Sequence, residues 1–238
     1  MRIWPMLRFE IVQRFIDELD ATYYLEVGTQ TAQTFCRISV DHKTGVDPDP
    51  WAEGQAKMLC QLKGKQKTME FACKTSDDFF ADVIDPDLSG GFDVIFIDGL
   101  HEREQWKRDI SNAKHLLNPG GVIVCHDCCP PDERSQVVPA LDNGEWVGDV
   151  WKGWVDLRQE SSDMMFVIDT DYGVGVIIPS ESGDPIEALS GEPTYRDLLA
   201  NKDEWLNLIS VEEFNARSSG EPHPPRPVGT RSRILPPC

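Results

Sequence analysis

Four side chains able to do acid–base or metal chemistry stand at the ends of two apolar runs. The run at residues 92–97 stops at Asp98-Gly99, with His101 just behind it, and the run at residues 122–125 stops at His126-Asp127. Between them lie a charged segment of helical character and the turn sequence Asn118-Pro119-Gly120-Gly121. Strand, crossover helix, strand is the simplest reading. It brings both polar sets to the carboxyl ends of neighbouring strands, where open α/β sheets bind ligands. Two carboxylates converging there suit a hard divalent cation such as Mg²⁺, with water and substrate oxygens completing the octahedron. Cys125, Cys128 and Cys129 flank the second set, but structural zinc sites show two Cys/His pairs at fixed spacing, and no second pair follows.

A second constellation precedes this one. Residues 22–27 are rich in strand formers, carry Glu26 and stop at Gly28. Glycine there lets backbone approach a ligand closely, and a following helix, suggested by Phe35, Cys36, Ile38 and Val40, would point its positive end at that ligand. Asp47 ends the next short strand, where a carboxylate accepts hydrogen bonds from two ribose hydroxyls. Ser76-Asp77, after a third strand, stands where an adenine edge would lie. A pyrophosphate binder needs G-x-G-x-x-G, whereas this chain has Gly28 alone, followed by Thr29-Gln30-Thr31-Ala32-Gln33. Glu26 would repel a diphosphate and welcome a cationic, amino-acid-bearing nucleoside. A nicotinamide-dependent oxidoreductase is therefore the weakest reading.

The elements that must position these residues follow from periodicity. Leu7, Ile11, Val12, Phe15, Ile16 and Leu19 form one helical face. Strands are expected at residues 22–27, 44–47, 68–73, 92–97 and 122–125, with helices at 51–62, from Ser76 as cap, and at 148–158. Strands at 164–168 and 174–178 are joined by residues 169–173, too short a link for a parallel crossover, which needs about a dozen residues, so this pair is antiparallel. Short helices are expected at 194–201, 202–209 and 211–217. The whole reads as one α/β domain over residues 1–217: an N-terminal helix (5–19), a sheet core (20–180) and C-terminal helices (190–217). Residues 218–238, rich in Pro, Gly and Ser, form a tail.

Taken in order, Leu25-Glu26-Val27-Gly28, Gly45-Val46-Asp47-Pro48, the segments 75–80, 92–101 and 117–127, and the closing hairpin resemble the class I S-adenosylmethionine-dependent methyltransferases. Within them the resemblance is to the branch containing metal-dependent sugar O-methyltransferases. It implies a three-layer Rossmann-like fold whose sheet is mostly parallel, seven-stranded, with an antiparallel last strand. It implies S-adenosylmethionine held by Glu26, Gly28, Asp47, Ser76, Asp77 and Asp98. It implies a metal held at the positions of Asp98, His126 and Asp127, and His101 as general base for methyl transfer to a hydroxyl of a sugar or polyol. The chain departs from the pattern twice. Ala32 stands where the family often has a second glycine, beside the methionine moiety. His126 stands where metal-dependent members carry an acid, which admits Mn²⁺ beside Mg²⁺. These departures motivate the alternative of a non-catalytic cofactor-binding or scaffold protein. Trp151 and Trp154 sit where an acceptor wall would be, though tryptophans three apart on a helix also suit a core.

Composition bounds the partners. Lys and Arg number 23 against 41 Asp and Glu, a net charge of −18, which disfavours nucleic acid and anionic membrane surfaces. No run reaches the ~18 apolar residues of a membrane span, and residues 1–15 lack a signal peptide's apolar centre. The seven scattered cysteines fit reduced thiols and a cytoplasmic location. The expected partner is a small molecule, with a homo-oligomer compatible with the tail.

Overall fold

The computed structural model describes residues 5–61, 67–84, 91–141 and 144–217. Its centre is β4 (Phe92–Ile97), every residue of which is buried. Such a run, apolar throughout except for Asp93, marks a parallel strand covered on both faces. β1 (Tyr23–Val27) and β5 (Leu117–Cys125) flank it in parallel. Beyond β1 lie β2 (His42–Val46) and β3 (Thr68–Ala72), also parallel. Beyond β5 lies β7 (Val174–Ser182), antiparallel to both β5 and β6 (Asp163–Ile168). The full order is β3-β2-β1-β4-β5-β7-β6-β8. The chain's direction of travel across the sheet reverses between β1 and β4, which opens a crevice at their carboxyl ends.

Side chains alternate along each strand, so the two sheet faces build separate cores. One face carries Leu25, Val27, Ile95, Ile97, Ile123 and Ile177. It packs against α3 (Ser76–Val83), α4 (Arg103–Leu116), α5 (Val150–Glu160) and α6 (Tyr195–Leu206) through Phe79, Phe80, Trp106, Trp151, Trp154 and Trp205. The other face carries Tyr24, Val94, Phe96, Val124 and Val176. It packs against α1 (Arg8–Glu18), α2 (Pro50–Gln61) and α7 (Val211–Arg217) through Ile11, Phe15, Ala56 and Phe214. Three layers result. Trp151 and Trp154 are wholly buried, so they are core residues and form no acceptor wall.

Several local expectations change. No helix follows Gly28: residues 29–41 run as turns. Phe35, Cys36, Ile38 and Val40 are buried as expected, but the Lys43 ammonium donates to the carbonyls of Phe35 (2.9 Å) and Ile38 (3.3 Å), groups that a helix would need for its own ladder. The argument from a positive helix end at Gly28 therefore falls. The cap of α3 is Thr75, whose Oγ1 accepts from the Asp78 amide, and Ser76 is the first helical residue. The two expected helices over 194–209 are one helix, α6, bent at Asn201, and Leu208–Ile209 form an eighth strand, β8, parallel to β6. Cys36 and Cys60 are joined in a disulfide that ties the turn segment to α2, where the sequence suggested reduced thiols. Among the described residues no helix is long and apolar enough to cross a membrane. The tail expected at 218–238 lies outside the described residues.

Candidate functional site

The crevice at the carboxyl ends of β1 and β4 is a cavity of about 1100 Å³. Every sequence-derived site residue borders it: Glu26, Gly28, Asp47, Ser76, Asp77, Asp98, His101, His126 and Asp127. Gly28 has φ +86°, and a Cβ there would stand 2.0 Å from the Asp98 carbonyl oxygen. The turn thus needs glycine twice over, for conformation and for the close approach of two strand ends.

On the β1–β2 side the site is shaped by backbone. Asp47 Oδ2 accepts from the Gln30 amide (2.7 Å) and Oδ1 from the Asp49 amide (2.9 Å), which fixes the carboxylate at the cavity edge. Glu26 is almost fully buried. Its Oε2 accepts from the Tyr24 hydroxyl at 2.5 Å. Burial, aided by the charge of Asp98, raises the Glu26 pKa to about 8 despite that hydrogen bond and the nearby Lys43 ammonium. Ala32, which the resemblance puts beside the methionine moiety, is wholly buried in the α1-side core and takes φ +55°. Ser76 Oγ and Asp77 Oδ1 accept from the Gln105 amide nitrogen at 3.1 and 3.0 Å. The same nitrogen reaches Asp109 Oδ1 at 2.9 Å, so α4 braces the start of α3.

On the β4–β5 side the site is made of charges. Asp98 Oδ1 lies 3.4 Å from His101 Nε2 and 3.3 Å from His126 Nδ1. Asp98 Oδ2 accepts from Arg8 Nη1 at 3.0 Å. Asp127 meets His126 Nδ1 at 2.9 Å and His101 Nδ1 at 3.1 Å. Burial pushes the Asp98 pKa upward, but the His126 charge, hydrogen bonds to both histidines and Arg8 outweigh it and hold the group well below the ordinary range. Burial likewise disfavours charge on His101, yet Asp98 and Asp127 raise its pKa above the ordinary histidine value. His126, more deeply buried, is raised further for the same reason, Asp127 and Asp98 overcoming desolvation. Its Nε2 is buried without a hydrogen-bond partner among the described residues.

The donor atoms of Asp98, His101 and Asp127 lie within 4.8 Å of one another, a set able to hold a metal ion. His126, expected as the middle ligand, is not among these three, though its Nδ1 approaches both carboxylates. Gln30, Asp127, Asp171 and Tyr172 all border the cavity with positive φ, a strained state that costs on the order of 1–3 kcal/mol each and collects at functional sites.

Three cavity residues escaped the sequence reading. Trp146 stacks on His101 with ring centroids 5.4 Å apart and is held by its indole N–H to the Val137 carbonyl. It sits in a loop without periodicity. Asp171 belongs to a segment read only as a hairpin link. Arg8 reaches the site from the far end of the chain.

Residues 25–128 match a family model described as a methyltransferase domain. No curated protein matches the chain. Solved structures share the fold. A Staphylococcus aureus protein assigned as a caffeoyl-CoA O-methyltransferase superposes with a TM-score of 0.58 at 15% identity, over 75% of this chain and 85% of that one. An O-methyltransferase from Bacillus cereus in complex with SAH gives 0.56 at 15%, over 74% and 82%. An O-methyltransferase of tomaymycin synthesis from Streptomyces achromogenes, in complex with SAM, gives 0.56 at 14%, over 73% and 80%. At such identities the likeness is one of fold.

Proposed function

We propose that this chain, a class I methyltransferase by its domain match and its sheet, transfers the methyl group of S-adenosylmethionine to a hydroxyl of a small acceptor. The observation that carries the reading is a single cavity with two unlike walls. One wall presents Glu26, Gly28 and Asp47, the other Asp98, His101 and Asp127. The Bacillus cereus and Streptomyces achromogenes neighbours, O-methyltransferases bound to SAH and SAM, support it.

The residues present suit the cofactor. Asp47, its carboxylate fixed by two backbone amides, has lone pairs left for ribose hydroxyls. Ser76 and Asp77 would meet the adenine edge. Glu26, whose pKa burial raises to about 8, becomes a carboxylate when an ammonium group faces it, because a nearby positive charge favours the ionised form. When bound, S-adenosylmethionine supplies an electrophilic methyl on a sulfonium, and its sulfur keeps the electron pair of the broken bond.

His101 is the base we assign. Its contact with Asp98 is long, at 3.4 Å, so an acceptor hydroxyl can replace it there and pass its proton to Nε2 as the oxygen attacks. The raised pKa makes His101 a stronger base than an ordinary histidine. Turnover should therefore climb as pH rises through that pKa. Trp146 offers a flat apolar face beside His101 for the body of the acceptor, a sugar or polyol in this reading. Metal assistance is its finer part. Asp98 and Asp127 would hold a Mg²⁺ or Mn²⁺ ion, with His126 the third candidate ligand, and the ion would lower the pKa of the acceptor hydroxyl.

Isothermal titration with S-adenosylhomocysteine tests the reading. Micromolar binding is expected, within the usual range of Michaelis constants. An absence of heat at millimolar ligand would overturn it.

A further inference from the structure

The Arg8 guanidinium lies inside the acid cluster. Arg8 opens α1, and its backbone N–H and Nε both donate to Asp171 Oδ2 at 2.9 Å. Nη2 reaches Asp171 Oδ1 at 3.3 Å, which makes the pair a fork. Nη1 then spans to Asp98 Oδ2 at 3.0 Å and stands 3.1 Å from His126 Nδ1. The Arg8 side chain is 28% exposed, Asp98 15% and Asp171 4%, so water screens these charges only in part. Three carboxylates (Asp98, Asp127, Asp171) are thus met by three cation-capable groups (Arg8, His101, His126).

We propose that Arg8 is a resident cation of this site, and that a divalent ion binds Asp98 and Asp127 only in competition with it. The inference rests on the metal reading above. An ion coordinated by Asp98 would share that carboxylate with a guanidinium a few ångström away. Like charges at such a distance in a partly buried site oppose each other strongly. Bidentate pairing with Asp171 holds Arg8 in place, since forked arginine–carboxylate pairs are the strong ones. Binding an ion would therefore loosen the first turn of α1 from the β6–β7 turn. The opposite view makes Arg8 a support that orients Asp98 for the metal, and it predicts the opposite sign.

The test is Mn²⁺ titration of the full chain, read as loss of the free-ion electron paramagnetic resonance signal, which needs no acceptor and no turnover. Arg8→Met should bind Mn²⁺ at least about tenfold more tightly than wild type, as expected for removing a like charge. Arg8→Lys, which keeps the charge, should stay near wild type. Equal or weaker binding by Arg8→Met overturns the proposal and leaves the metal reading standing. An absence of Mn²⁺ binding by every chain removes both. Hydrogen exchange on the wild type keeps the idea falsifiable should the variants misfold. Saturating Mg²⁺ should speed exchange in the first turn of α1, and unchanged exchange with the ion bound contradicts competition.

Discussion

The two ends of β4 each carry an aspartate, and they hold it in different ways. At the amino end, Asp93 Oδ2 accepts from the backbone amides of Thr22 (2.8 Å) and Tyr23 (3.0 Å), and Oδ1 from the Asn118 side-chain amide (2.8 Å). At the carboxyl end, Asp98 is met by Arg8, His101 and His126. The first set are neutral, fixed donors. The second are cation-capable, and two of them can lose a proton and turn from donor to acceptor. One acid knits the β1, β4 and β5 ends together. The other sits among partners that can be exchanged for a substrate, a proton or an ion.

Exchanging each acid for its amide should separate them. In Asp93→Asn the new NH₂ group must face donors that cannot rearrange. A loss of about 3 kcal/mol is expected, typical of leaving buried donors unsatisfied, with S-adenosylhomocysteine affinity unchanged. In Asp98→Asn the histidines can adapt by shedding protons. We expect about 1 kcal/mol or less, while Mn²⁺ binding disappears. Urea unfolding together with the two titrations measures both effects. Equal destabilisation by the two substitutions would erase the distinction between the strand ends.

Glu26, on the neighbouring strand, sharpens the same contrast through pH. Burial raises its pKa from 4.5 to about 8 in the folded chain. The folded state therefore holds a proton that the unfolded chain releases at lower pH. Stability associated with this group is present below about pH 4.5 and is lost as pH rises toward 8. Glu26→Gln removes the ionisation, so its Tm should gain on that of wild type between pH 5 and 8.5. Its affinity for S-adenosylmethionine should fall by about tenfold, the value of one charge-assisted hydrogen bond to the ammonium group. A Tm difference constant with pH would show that Glu26 is already ionised in the empty site.

What was legible in the sequence divides along this line. Gly28, Asp47 and the strand ends at Asp98 and Asp127 follow from local rules: a glycine that must approach backbone, an acid one strand on, an apolar run that stops. The sheet and its antiparallel hairpin were readable for the same reason. Long-range contacts were not. The apolar spacing of Phe35, Cys36 and Ile38 suits a helix, and nothing local announces that Lys43 will claim the carbonyls of that segment. β8 is two residues long, too short for any periodicity. Arg8 meets Asp171 across 163 residues, and Trp146 reaches His101 from an aperiodic loop. This side of the cavity was hidden because tertiary packing assembles it from segments that carry no pattern of their own.

The smallest effect, and the most specific to the carboxyl end of β4, is the titration of His101. Two carboxylates overcome burial and raise its pKa above the ordinary histidine value of 6.5. Asp127 Oδ2 lies 3.1 Å from Nδ1, so Asp127→Asn removes one of the stabilising charges while Asp98 keeps the other. The His101 ring resonance, followed by NMR against pH, should titrate above 6.5 in the wild type and move downward in Asp127→Asn. The matching change at the other end, Asp93→Asn, should leave the resonance where it is, because Asp93 has no contact with the ring. A His101 signal indifferent to Asp127 would leave Asp98 as the carboxylate that raises its pKa and remove Asp127 from the support of the base.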